Sequence, residues 1–171
     1  MKVAAIGRVD EFEALEPGTV LVAQVVGRPT LCLKAFYLDA DGRRVDRLIG
    51  LAPGLEAYRG RPGLLEPQAL TAPAVMALGE AELSPVVTAW PRMRFVDSAD
   101  PETAGQMVIC GGRTYLTFLQ GAGADTGLDY VDVESGRILA PPDKLFRTVL
   151  PEWSVVRRDG GRVEEIHRFA G

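Results

Sequence analysis

The stretch that decides the predicted fold is residues 105–140, GQMVICGGRTYLTFLQGAGADTGLDYVDVESGRILA. Short runs of apolar, β-branched and aromatic residues alternate in it with turns that contain glycine. The runs cover residues 106–110, 113–120, 128–133 and 137–140. Runs of this kind between glycine-containing turns are typical of a β-meander, in which successive strands pair antiparallel. The stretch therefore predicts three or four short strands and a mostly β protein.

The N-terminal part of the chain follows a similar plan. Residues 17–53 read as strand, short glycine-containing turn, longer strand, loop and strand, and residues 105–141 read the same way. Either a divergent duplication produced two related β-units around a pseudo-twofold axis, or two unrelated meanders look alike. In both cases we expect the two β-units to form a sandwich or a barrel-like core.

Length and composition predict a single domain. The 171 residues are 47% hydrophobic and 25% charged, which is close to the average for globular domains and enough for one core. Residues 54–104, between the two β-units, contain six prolines, and proline excludes a long helix or strand across most of this segment. We expect it to be a crossover between the β-units or a lid over one of them.

The charge balance and the cysteines indicate which partners are not expected. The net charge is −4 and the isoelectric point is near 5.1, whereas nucleic-acid binding and docking on anionic membranes rely on clustered Lys and Arg. No apolar run reaches the ~18 residues of a spanning helix. Cys32 and Cys110 lie in strand-like runs and are too few for a disulfide framework. We therefore expect a cytoplasmic protein that binds neither nucleic acid nor membrane.

Short helices are predicted in two segments. Residues 9–16 contain Asp10 as a capping residue and Glu13 three positions later, which is the spacing of a capping box. Residues 71–83 place a proline near the first turn, followed by several apolar residues. The predicted fold is thus a β-rich α+β protein with one or two short helices.

The C-terminus predicts a hairpin over residues 152–169. Asp159-Gly160-Gly161 separates two runs of strand-forming residues and is a strong turn signal. The second run carries charged residues at alternating positions on both faces, which favours an edge strand. His167, the only histidine, lies in this run.

Catalytic and ligand-binding motifs are absent from the sequence. A histidine-dependent triad would have to use His167, which has no nucleophile elbow to accompany it. Residues 39–50 begin like a calcium loop but place Gly50 at the twelfth position, and residues 97–102 form an acidic loop of scattered carboxylates. Residues 121–127 are glycine-rich but lack the Lys-Ser/Thr of a P-loop. We expect no metal and no cofactor.

The best candidate for a binding face comprises Trp90, Arg92 and Arg94. They occupy alternate positions of a run, residues 86–96, that reads as extended, so they would share one face. Trp and Arg are enriched at protein interfaces, and a guanidinium beside an aromatic ring can hold an anionic or planar ligand. The alternative is a pair of solvated arginines next to a core tryptophan.

Two functions stay open. The first is a non-catalytic module that binds a protein partner or assembles with copies of itself through the Trp90 face or the C-terminal edge strand. The second is a small-molecule binder or enzyme with a pocket between the β-units, covered by residues 54–104. A closed polar pocket favours the second, and a flat exposed apolar patch favours the first. The site residues would be Trp90, Arg92, Arg94, Tyr115 and Asp129.

Overall fold

The computed structural model describes residues 7–51, 60–72, 74–86, 92–94, 103–121, 126–140, 147–159 and 161–170. The protein is mostly β and has two sheets. Within the described residues no helix has seven or more residues, and none is long and apolar enough to cross a membrane. Among the helices that the described residues form, two are single turns of 3-10 helix, at Phe12–Ala14 and Pro67–Ala69. These observations confirm the prediction of a mostly β protein with one or two short helices.

The described chain forms fifteen strands. The N-terminal strands are β1 (Arg8–Glu11), β2 (Val20–Val25), β3 (Arg28–Leu38) and β4 (Arg44–Gly50). The crossover segment contributes β5 (Gly63–Leu65), β6 (Ala74–Ala77), β7 (Ala81–Pro85) and β8 (Arg92–Arg94). The second β-unit contains β9 (Met107–Cys110), β10 (Arg113–Leu119), β11 (Leu128–Asp132) and β12 (Ile138–Leu139). The C-terminal strands are β13 (Arg147–Leu150), β14 (Glu152–Asp159) and β15 (Arg162–Ala170).

Both β-units are meanders, as predicted. Strand β3 pairs antiparallel with β2 on one side and with β4 on the other. In the second β-unit, β10 pairs antiparallel with β9 and with β11. The predicted C-terminal hairpin is also present as the pair β14 and β15, with β15 at an edge. Whether the two units arose by duplication stays a prediction.

The larger sheet contains twelve strands and the smaller sheet three. The order in the larger sheet is β1-β6-β2-β3-β4-β5-β10-β9-β13-β8, with β11 on β10 and β12 on β11. The order in the smaller sheet is β15-β14-β7. The main buried cluster takes Leu33, Ile49 and Phe118 from the larger sheet and Trp153 and Val155 from the smaller one. The sheets therefore pack face to face as a sandwich.

Six strands of the larger sheet form an almost complete circuit in the order β3, β4, β5, β10, β11 and β12. Leu119 of β10 pairs with Gly63 of β5, and Phe36 of β3 forms a single bridge with Arg137 beside β12. Each of these two junctions holds one residue pair, whereas the other pairs in the circuit are ladders. Across the described strands the core is therefore barrel-like, but it is not a closed barrel.

The helix predicted over residues 71–83 was wrong. Its first part is β6, which pairs with β1 and β2 in the larger sheet, and its second part is β7, which pairs with β14 in the smaller sheet. The chain changes sheets between them, at Gly79. The helix predicted over residues 9–16 is reduced to one 3-10 turn, because residues 8–11 form β1, and Asp10 accepts a hydrogen bond from Arg8 instead of capping the turn.

The most unusual group in the fold is Lys34, whose side chain is fully buried. Its Nζ donates to the carbonyl oxygens of Phe12 at 2.8 Å and Glu13 at 3.3 Å, and it lies 2.8 Å from Oδ2 of Asp46. It also lies 4.6 Å from the centroid of the Phe12 ring. All three donors of the ammonium therefore have partners. Lys34 fixes the 3-10 turn against the sheet, above the second buried cluster around Leu21.

The Lys34–Asp46 pair makes stability depend on pH. Burial alone would raise the pKa of Asp46, but hydrogen bonds from Arg44 and Lys34 outweigh burial and lower that pKa below its ordinary value of 3.8. A carboxyl group whose pKa is lowered by folding stabilises the protein above its unfolded pKa. This contribution is lost as the pH falls through the folded pKa.

We expect Asp46→Asn to lower the free energy of unfolding by about 2 kcal/mol at pH 7, since it leaves a buried ammonium without its counter-charge. The deficit should shrink as the pH falls below about 4, because Asp46 of the unfolded parent protein then binds a proton, and it should disappear once the pH is also below the lowered pKa of the folded state. Urea unfolding at pH 7 and pH 3 measures both values. Asp41→Asn, in the exposed turn, is the control and should change little. An equal deficit at both pH values would contradict the role of the charge.

The turn between β2 and β3 contains a strained residue. Val26 has a φ of +49° and is 76% exposed, and it precedes Gly27 in a two-residue hairpin turn. Its N–H donates to the carbonyl oxygen of Ala69 at 3.0 Å, so the backbone position is held in place. Left-handed backbone is unfavourable for β-branched residues, whereas Asn is favoured at this turn position.

Val26→Asn should therefore raise the free energy of unfolding by about 1 kcal/mol. Val26→Thr is the matched control, because Thr adds a polar group but keeps the β-branch, and we expect it to give no gain. Chemical denaturation of both variants is the measurement. A gain for Thr equal to that for Asn would show that polarity, not backbone conformation, limits stability here.

Candidate functional site

The structure locates the predicted arginine face only in part. Trp90 lies outside the described residues. Arg92 and Arg94 belong to β8, the last strand of the larger sheet, where the register places them opposite Val149 and Arg147. The two arginines lie at alternate positions of the strand. That Trp90 shares a face with them stays a prediction.

Tyr115 and Asp129 are not brought together. Tyr115 of β10 lies opposite Asp132, and Asp129 of β11 lies opposite Phe118. Residues opposite each other share a face and successive residues alternate, so Tyr115 and Asp129 point to opposite faces of the sheet. Tyr115 packs against the third buried cluster, around Tyr130, whereas Phe118 belongs to the main core.

His167 is half-buried on β15, opposite Val155. Its Nε2 atom is buried and has no hydrogen-bond partner among the described residues. A catalytic histidine needs a nucleophile on one nitrogen and an orienting group on the other. The described surroundings of His167 supply no partner for Nε2.

A groove of about 430 Å³ lies between the two sheets at the β7 edge. One wall is the whole of β7, and the other contains Thr114, Val133, Glu134 and Gly18. It therefore lies between parts of both β-units and is bordered by the crossover segment. The pocket predicted from the sequence, with Arg92, Arg94, Tyr115 and Asp129 as site residues, stays a prediction, and the described lining of this groove includes none of the four.

The groove runs along the edge of β7 that faces away from β14. A cavity on one face of a strand contacts alternate residues, whereas all five residues of β7 line this groove. Val86 donates to the carbonyl oxygen of Glu152, and the antiparallel register continues from this pair. Residues 82 and 84 therefore bond to β14, and residues 81, 83 and 85 direct their backbone groups towards the groove.

The backbone groups of Ala81, Leu83 and Pro85 that point away from β14 form a row, here called the outward row of β7. It consists of two N–H groups and three carbonyl groups. Ala81 and Leu83 offer both groups, while Pro85 offers only its carbonyl oxygen, since proline has no N–H. Among the residues that the structure describes, no backbone group bonds to this row. The row therefore resembles an open ladder that an extended chain can complete.

The opposite wall is built by the turn after β11. Asp132 is buried, and its Oδ1 accepts hydrogen bonds from the N–H groups of Glu134 and Ser135, both at 3.1 Å. Its Oδ2 lies 3.3 Å from Nη1 of Arg113. These bonds fix the turn, and the turn holds Glu134 at the groove.

The electrostatics of the groove favour cations. The described lining contains the carboxylates of Glu82 and Glu134 and no lysine, arginine or histidine, although Arg158, outside the lining, pairs with Glu82. Ser84 and Thr114 add two hydroxyl groups. The groove can therefore bond to extended backbone and attract positive charge, and it is poorly suited to an anionic ligand.

Sequence reasoning missed this site because it placed residues 81–83 at the end of a helix. A signal was nevertheless present: Ala81-Glu82-Leu83-Ser84-Pro85 alternates apolar and polar residues and ends on a proline. That pattern is typical of an edge strand.

Comparisons with known proteins found no relative of this chain. No family model matches the chain, and neither a curated protein nor a solved structure matches it. The function must therefore be argued from the geometry of the site.

Asp129, one of the residues that the sequence predicted for the site, makes the stability of the protein depend on pH. Burial raises the pKa of its carboxyl group, and a hydrogen bond from Gln120 offsets this only in part. A carboxylate whose pKa is raised by folding destabilises the protein at neutral pH, and the penalty disappears as the pH falls through the folded pKa.

We expect Asp129→Asn to stabilise the protein at pH 7 by less than about 1 kcal/mol, because the half-exposed group is partly solvated. The gain should vanish near pH 3, which is opposite in sign to the behaviour of Asp46→Asn. Thermal unfolding of the variant and the parent protein at both pH values is the measurement. A loss of stability at pH 7 would show that the carboxylate has a favourable interaction that burial does not cancel.

Proposed function

We propose that the protein is a non-catalytic module that binds an extended segment of a protein partner by strand addition to β7. The observation that carries the proposal is the outward row of Ala81, Leu83 and Pro85 along the groove. Strand addition is a general mode of peptide recognition in which backbone hydrogen bonds supply affinity and pockets for alternate side chains supply specificity.

The groove supports one added strand. Residues of the added segment opposite Ala81 and Leu83 form the hydrogen-bonded pairs, and their side chains point into the space between the sheets. There they meet Thr114 and Val133 on the other wall. The smaller sheet, which has three strands among the described residues, then gains a fourth on the side of β7 that faces away from β14.

A small molecule in the same groove is the second candidate. About 430 Å³ falls within the range of ligand pockets. The hydroxyl groups of Ser84 and Thr114 and the carboxylates of Glu82 and Glu134 would then orient the ligand. This candidate predicts binding that does not depend on the outward N–H groups of β7.

Amide hydrogen exchange tests strand addition directly. In the free protein we expect the amides of Glu82 and Ser84, which face β14, to be protected, and those of Ala81 and Leu83 to exchange rapidly. Adding the peptide acetyl-Thr-Val-Ser-Val-Thr-amide in excess should protect Ala81 and Leu83. NMR exchange measurements on the labelled full chain resolve the four amides. Rapid exchange at Ala81 and Leu83 that the peptide leaves unchanged would contradict strand addition.

The variant Ala81→Pro removes one outward N–H without removing a bond to β14, because proline is tolerated where the N–H faces away from the sheet. It should weaken peptide binding about fivefold, the effect of one hydrogen bond. Ala81→Ser keeps the N–H and is the matched control. Unchanged affinity in Ala81→Pro would favour the small-molecule candidate.

A second copy of the chain is the other protein partner to test. Light scattering at several concentrations gives the solution mass of the parent protein and of Ala81→Pro. An oligomer that dissociates in the proline variant identifies self-pairing at β7. A monomer in both cases directs the search to a different protein.

A further inference from the structure

The face of β7 that carries Glu82 places a carboxylate beside the position of an added strand. In paired strands, residues directly opposite each other share a face and interact, and opposite charges in such pairs are favourable. Glu82 lies between Ala81 and Leu83, so the segment residue opposite Glu82 lies on the face of its carboxylate and away from the core.

The carboxylate of Glu82 has capacity for a second cation. Nε and Nη2 of Arg158 both lie 2.7 Å from Oε1, and among the described residues no hydrogen bond or ion pair involves Oε2. The Glu82 side chain is 49% exposed. A carboxylate accepts two cationic donors on its two oxygens, so a Lys or Arg of the segment can bind without displacing Arg158.

The positions on either side of that cation require different side chains. They lie opposite Ala81 and Leu83 and point between the sheets, where Leu83 is buried in the main core and Val133 packs against it. Small β-branched apolar residues fit a half-buried strand position of this kind. Glu134, on the opposite wall, adds a second negative charge, and the described lining has no cation to oppose it.

We infer that the groove selects an extended protein segment of the pattern apolar–cation–apolar, with the Lys or Arg opposite Glu82 and valine-like residues on both sides. This inference rests on the proposed strand addition to β7 and names the chemistry of its partner. The net charge of −4 on the whole chain adds to the attraction of a cationic segment.

Three peptides test the inference: acetyl-Thr-Val-Xaa-Val-Thr-amide with Lys, Ser or Glu at the central position. We expect the Lys peptide to bind the full chain about threefold more tightly than the Ser peptide, which is typical of a cross-strand charge pair, and the Glu peptide to bind more weakly. Glu82→Gln should abolish the preference for Lys. Glu80→Gln removes the same charge from an exposed residue outside the described lining and should keep the preference.

The outcomes separate the two proposals. Preference for Lys that is lost in Glu82→Gln and kept in Glu80→Gln supports the inference. Equal binding of all three peptides, with protection of the Ala81 and Leu83 amides, overturns the charge selection and leaves strand addition standing. Preference for Lys that both variants weaken equally overturns the assignment to Glu82, because net charge alone would then explain it. Absence of amide protection with every peptide overturns both proposals.

Discussion

The fold depends on one close contact between the two β-units. The N–H of Phe36 in the N-terminal unit donates to the carbonyl oxygen of Gly136 in the second unit at 2.9 Å. Beside this bond, and within the N-terminal unit, the N–H of Gly18 donates to the carbonyl oxygen of Lys34 at 2.8 Å. Gly18 and Gly136 both have positive φ. A Cβ on Gly18 would lie 2.7 Å from the carbonyl oxygen of Glu134, and a Cβ on Gly136 would collide with the backbone nitrogen of Gly18. Only glycine at both positions allows the two backbones to approach this closely.

The same contact places the buried lysine and the groove. Lys34 bonds through its backbone to Gly18 and through its side chain to Asp46 and the 3-10 turn, so one residue links the junction to the N-terminal segment. Gly18 and Glu134, which meet at the junction, also form part of the groove wall. A buried ion pair contributes little net stability compared with apolar packing, but it fixes which elements meet. The groove is thus a consequence of how the two units join.

The strand pairing could be predicted from the sequence where the strands that pair are also neighbours in the chain. The turn before Gly161 predicted the C-terminal hairpin, and both meanders were predicted because each strand pairs with the next. The strands within residues 71–83 could not be predicted from the sequence, because β6 and β7 pair with strands that are distant in the chain and belong to different sheets. The groove was missed for the same reason: Glu82 and Glu134 line one groove only through the packing of the sheets, and no local pattern fixed the faces of Tyr115 and Asp129.

The two edges of the smaller sheet differ in a way that bears on their use. β15 carries exposed charges along its length, including Arg162, Glu164 and Arg168, and a register irregularity opposite β14. Charges and bulges prevent unwanted pairing at an edge strand. β7 carries only Glu82 and ends at Pro85, yet the wall formed by Thr114, Val133 and Glu134 stands beside it. A wall at that position restricts the approach of another sheet to this edge of β7. Every edge strand must avoid unwanted pairing with other chains. β15 carries charged side chains that discourage such pairing, whereas β7 is shielded by the wall beside it. Shielding of this kind is compatible with selective binding.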